Sequence, residues 1–104
     1  MSDYYIIFST IDNKNSKKIA HDIVQKNLAA AVSIVPMVQT YKAWKNGMTE
    51  YLENLLIIRT TSQKLDELRQ FIKENHPDEN PEFVATPIEY GSPEYFMWIS
   101  KNTE

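Results

Sequence analysis

His76, Asp78, Glu79 and Glu82 form the one close cluster of metal-ligand side chains in this 104-residue sequence. Imidazole and carboxylate groups together suit Cu(II), Zn(II) and similar ions. Pro77 and Pro81 stiffen the segment, so ordering those donors costs less than in a free loop. Three of the four residues nevertheless lie in a single turn and cannot surround an ion without ligands from elsewhere. The plainer reading is a helix end. Proline pushes its predecessor out of the helical region, so a helix stops at His76, where the C-terminal dipole favours an imidazole, and the acids are solvated. The coordination number that a tight site requires favours this plainer reading.

Other chemistries find little support. With no cysteine there is no disulfide framework and no thiolate site, and with only Gly47 and Gly91 there is no phosphate-cradling loop. No nucleophile–base pair is visible, and His21 falls off the apolar face of its helix, so an enzyme is not expected. A net charge of −3 argues against nucleic acid, because Lys14, Lys17 and Lys18 are diluted by Asp12 and Asn15. No apolar run approaches the roughly 20 residues of a membrane span. Strand chemistry begins at Tyr4, so no signal peptide is expected and the cytoplasm is the default compartment. The length fits one domain, residues 1–104, with an ordinary 42% hydrophobic and 24% charged content.

The elements that must position the cluster follow from periodicity. Tyr4–Ser9 is aromatic and β-branched and predicts a buried strand. Asp12 to Ser16 is a turn cluster with cap residues, and from Ser16 to about Asn27 a helix places Ile19, Ala20, Ile23, Val24 and Leu28 on one face. Ala29–Val38 is an apolar run bent at Pro36, continued to Trp44. Asn46-Gly47 then predicts a hairpin turn, with Thr40 facing Glu53 and Lys42 facing Tyr51. The return strand runs from Thr49 to Thr60, with Leu55–Ile58 buried on both faces. Ser62 caps a second helix whose apolar face is Leu65, Leu68, Phe71 and Ile72. A fourth strand covers Glu82–Glu89, and Ser92-Pro93-Glu94 opens a third helix. This β-α-β-β-α-β-α order predicts an α+β, ferredoxin-like sandwich: one antiparallel sheet, two helices on one face, a long central hairpin and an extra C-terminal helix. Right-handed crossovers place the third strand between the first and second, and the first beside the fourth.

From His76 onward the chain resembles the CutA family of divalent-cation-tolerance proteins. That family carries a His-Pro-Tyr-Glu-x-Pro-Glu run, a strand ending in Pro-Ile, a glycine and a Tyr-x-x-Trp-Ile helix. Tyr95, Trp98 and Ile99 match the helix, while Asp78 stands in place of the tyrosine. Trp44 matches the tryptophan of the family's Tyr-x-Trp-x-Gly-Lys motif, with Tyr41 one residue off. Ala31 and Ser33 replace the cysteine and asparagine of its Leu-x-Ala-Cys-x-Asn motif. The resemblance runs from Tyr4 to Trp98 and implies a homotrimer that binds divalent ions, copper foremost, through His76 and Glu79. Loss of the cysteine removes the soft ligand that would hold Cu(I) tightly, so the expected metal contact is weak. No organic cofactor is implied.

An alternative is a small-molecule sensor like the PII signalling proteins, with Arg59 and Glu53 near a cleft between subunits. A structural or anchoring oligomer is a third possibility. In each case the hairpin residues Tyr41, Trp44, Tyr51 and Leu52 are the expected interface, because a lone two-stranded ribbon is barely stable in water.

Overall fold

The computed structural model describes residues 2–104. The elements are β1 (Tyr4–Ile11), α1 (Asn13–Gln25), β2 (Ala31–Trp44), β3 (Gly47–Thr61), α2 (Leu65–Asn75), β4 (Val84–Pro87) and α3 (Pro93–Lys101). The four strands form one antiparallel sheet in the order β2-β3-β1-β4. This is the expected ferredoxin-like arrangement.

One face of the sheet makes the core. Ile7 and Ile11 of β1 and Leu56 and Ile58 of β3 pack with Ile19 and Ile23 of α1 and Leu68 and Ile72 of α2. Val24 was expected on that face but is exposed. On the other face, register pairs Ile6 with Arg59, Phe8 with Ile57 and Thr10 with Leu55. Leu55 and Ile57 are therefore only half-buried, so burial on both faces of that stretch is not realised. The third helix lies on this second face: the Phe96 ring stacks on Tyr4 at 4.4 Å, and the Tyr4 hydroxyl meets Ser100 Oγ at 2.6 Å. It covers only part of the face.

The first helix begins three residues earlier than periodicity suggested, because Asp12 is its cap and accepts from the Asn15 backbone N–H at 3.2 Å. Ser16 is an interior residue, fully buried. The Asn15 side-chain amide donates to both Asp12 oxygens at 2.9 Å and holds this carboxyl below its ordinary value; burial opposes the shift and the backbone N–H adds to it. Asp12→Ala should cost about 1 kcal/mol at neutral pH, the usual worth of such a cap. A depressed folded pKa means the contribution is complete above the ordinary Asp value of about 3.9 and disappears as pH falls through the folded value. Chemical denaturation at pH 7 and in strong acid should show the gap between wild type and variant closing. An equal gap at both would show that the charge is not what caps the helix.

The hairpin differs in register. Trp44 pairs with Gly47, Lys45 and Asn46 form the turn, and Thr40 faces Tyr51 while Lys42 faces Thr49. Lys45 takes the left-handed conformation (φ 52°) and Gly47 does not need it. Each partner moves by two residues, which leaves every side chain on its expected face. The bend at Pro36 is a β-bulge between Val35 and Val38, with Met37 at φ 61°. The Met37 N–H donates to Asn54 Oδ1 at 3.3 Å, and Asn54 Nδ2 donates to Ser16 Oγ at 2.8 Å and to Asn13 Oδ1 at 3.1 Å. This buried network ties the bulge to the start of α1.

Two smaller differences have local causes. Ser62 begins a single 3₁₀ turn rather than capping α2, and no side chain caps that start. The fourth strand is four residues long: at one end the Glu82 carbonyl is taken by the Ser9 hydroxyl at 2.6 Å, and at the other the Ile88 N–H still reaches the Tyr4 carbonyl at 2.9 Å, while the Ile88 carbonyl and the Tyr4 N–H both turn to Ser2 Oγ. The radius of gyration is 14.3 Å, above the roughly 13 Å expected of a compact chain this long. Strands β2 and β3, 14 and 15 residues long, span about 45–50 Å at the usual rise, which matches the 45 Å long axis.

Candidate functional site

Where α2 stops, its end meets the end of β1 and the middle of β3. The cap of α2 is His76, in extended conformation, as Pro77 requires. Its side chain is 2% exposed. Nε2 lies 2.7 Å from the Thr10 carbonyl, which can only accept, and Nδ1 lies 3.0 Å from the Asp78 backbone N–H, which can only donate. These partners fix the neutral tautomer with the proton on Nε2. Both ring nitrogens are therefore engaged, and Glu79 is exposed on the turn beyond. Among the described residues no three His, Asp or Glu side chains are grouped to hold an ion. The donors present do not form a ready chelate for copper or zinc, and Ala31 supplies nothing in place of a thiolate.

Beside His76 opens a cleft of about 340 Å³, with Asp12, Asp78 and Glu53 as its carboxylates and Tyr51, Leu52 and Pro77 as its apolar wall. Glu53 is buried, with Lys42 Nζ 3.5 Å from Oε1. That is ion-pair range at the outer limit of a hydrogen bond, and Oε1 has no hydrogen-bond partner. Lys42 also stands 5.0 Å from the Tyr51 ring centroid.

The structure does not bring Arg59 and Glu53 together. They are six residues apart on one strand, about 20 Å at the usual rise. Arg59 instead donates through Nη1 to Ser33 Oγ at 3.0 Å and the Ile57 carbonyl at 2.8 Å, and through Nε to the Tyr95 hydroxyl at 3.4 Å. Tyr41, Trp44, Tyr51 and Leu52 are all exposed, Trp44 at 62% and Leu52 at 59%. Sequence reasoning missed Asp12 and Lys42 at the cleft, since neither stands near His76 in the chain. The expected register set Lys42 two positions from the residue facing Glu53, whereas the observed one pairs Lys42 with Thr49 and Glu53 with Val38, so only the length of the lysine side chain brings the two together.

A sheet ordered β2-β3-β1-β4 with two helices on one face defines an α+β sandwich of the ferredoxin-like class. The family described as CutA1 divalent ion tolerance protein matches residues 4–102, and the chain belongs to that family. It is 38% identical over 98 residues to mouse Protein CutA, covering 93% of this chain and 55% of the relative. To the divalent-cation tolerance protein CutA of Thermus thermophilus it is 34% identical over 99 residues, covering 94% and 96%. The chain thus spans about half the length of the animal and plant relatives and nearly all of the bacterial one. The solved structure of CutA from Xylella fastidiosa superposes with a TM-score of 0.96 at 31% identity, covering 99% of this chain and all of that one. CutA1 from Oryza sativa gives 0.95 at 32%, covering 99% and 95%.

Proposed function

We propose that this chain works as a homotrimer in divalent-ion tolerance and meets Cu(II) and similar ions weakly, without a preformed chelate. The observation that carries the assembly is the exposed hairpin, whose outer part presents Tyr41, Trp44, Met48 and Leu52 with no core beneath them. Such a ribbon is barely stable unless something docks on it. The sheet face away from α1 and α2 adds to this, since Val35, Val84, Tyr95 and Trp98 remain substantially exposed there. The two sheet edges, β2 and β4, are unlike each other. Pairing one copy's β2 edge with the next copy's β4 edge is a head-to-tail contact, which builds a ring where the rotation closes and not a two-fold dimer. The count of three rests on the family resemblance. The weakness of the metal contact rests on the engaged imidazole and on the alanine at position 31.

Light scattering at micromolar concentration tests the assembly. The expected mass is that of three 12.1 kDa chains, falling toward one chain in Leu52→Lys, which places a charge in the docked ribbon. A wild-type mass of one chain would sink the assembly, and a dimer would overturn the count. Calorimetric titration with Cu(II) should give weak binding, and a tight, stoichiometric isotherm would overturn that part.

A further inference from the structure

Arg59 is half-buried on the sheet face away from α1 and α2, and among the described residues it has no ion-pair partner. Its contacts are all neutral: Nη1 donates to Ser33 Oγ and the Ile57 carbonyl, and Nε donates to the Tyr95 hydroxyl. Nη2 finds no acceptor among the described residues, so both of its hydrogens are unspent. The two hydroxyls accept from the guanidinium, and neither hydroxyl proton has a partner of its own. One positive charge is thus surrounded by free N–H and O–H donors. That is the chemistry of an oxyanion site.

Nothing nearby supplies the anion. By register the neighbours of Arg59 are Ala31 and Ile6, with Ser33, Ile57 and Phe8 a step along the same face, and none is acidic. The next acid on its own strand is Glu53, which Lys42 already pairs. Glu94, beside Tyr95 on α3, is exposed and makes no ion pair among the described residues. This face is one that the assembly proposed above closes, and a guanidinium stripped of water needs a counter-charge. Identical copies meeting there bring the same acid-free sheet surface, so a partner's sheet offers no carboxylate. An anion from solution meets the need.

We propose that Arg59, Ser33 and Tyr95 bind a small tetrahedral oxyanion of the phosphate kind, which becomes enclosed as copies assemble. The donors lie within one chain; the enclosure rests on the homotrimer proposed above. Calorimetric titration of the full chain with inorganic phosphate should give saturable binding that NaCl at equal ionic strength does not reproduce. Arg59→Gln should weaken it about thirtyfold, as loss of hydrogen bonds from a charged donor does. Tyr95→Phe, which leaves the charge in place, should weaken it about fivefold and decides the matter if Arg59→Gln does not fold. Light scattering on diluted samples should show phosphate holding the assembly together at lower protein concentration, as a ligand of the assembled form must. No saturable binding by a trimeric wild type, or equal binding by wild type and either variant, sinks the site alone. Phosphate bound through Arg59 by a chain that stays monomeric overturns the trimer and the enclosure while the oxyanion site stands. A trimer that binds phosphate but dissociates at the same concentration without it overturns the enclosure. Assembly lost in Arg59→Gln, with no phosphate bound by wild type, gives the guanidinium to a partner's carboxylate and overturns the proposal.

Discussion

Ile99→Ala should lower the unfolding free energy by about 3 kcal/mol, within the range for emptying a buried isoleucine site. Ile99 is fully buried, the one residue of α3 that is. The neighbouring aromatic residues, which look like the anchor from sequence, are less committed: Trp98 is 44% exposed and Tyr95 lies stacked against it at 5.6 Å between ring centroids. Trp98→Ala should therefore cost roughly half as much where the chain is dissociated, because about half of its area has no partner to lose. Urea unfolding at low protein concentration, with and without Leu52→Lys to hold the chain monomeric, separates the two. An unchanged midpoint for Ile99→Ala would show that α3 is not docked on the sheet. A Trp98→Ala loss that grows when copies assemble would assign the indole to the interface.

That contrast shows where sequence reading runs out. The order of elements was legible because each carried its own period or cap: Ile19 and Ile23 at helical spacing, Ser92-Pro93 at the start of α3, Pro77 at the end of α2. The hairpin register was not, since Asn46-Gly47 signals a turn without fixing which residues are its centre. The first helix shows a second limit, as Asp12 and Ser16 are both good caps and only Asn15, reaching back to Asp12, selects the earlier start. The His76 cluster shows a third. Close spacing in the chain brought His76, Asp78 and Glu79 together on paper, but the groups that engage the ring are a carbonyl 66 residues away and a backbone N–H. Backbone partners leave no trace in residue type. Asn54 is another case, a buried amide in a strand whose neighbours suggest only a hydrophobic core.

His76→Ala is expected to cost about 3 kcal/mol, combining lost packing of a buried ring with an orphaned carbonyl in the protein interior. Thr10, whose carbonyl the ring satisfies, is itself buried, so water cannot freely replace the donor. The Asp78 N–H, on an exposed residue, can be hydrated and adds little. His76→Gln supplies the discriminating control, because its side-chain amide can donate to Thr10 while lacking the imidazole that copper prefers. If the ring is a strut, Gln should recover much of the stability lost in Ala, and weak Cu(II) binding should be the same in wild type and His76→Gln. If the ring holds the ion, His76→Gln should remain folded while Cu(II) binding disappears. That second outcome would return His76 to the metal and require the turn from Pro77 to Glu79 to rearrange when copper arrives, since Nδ1 must give up the Asp78 N–H before it can coordinate.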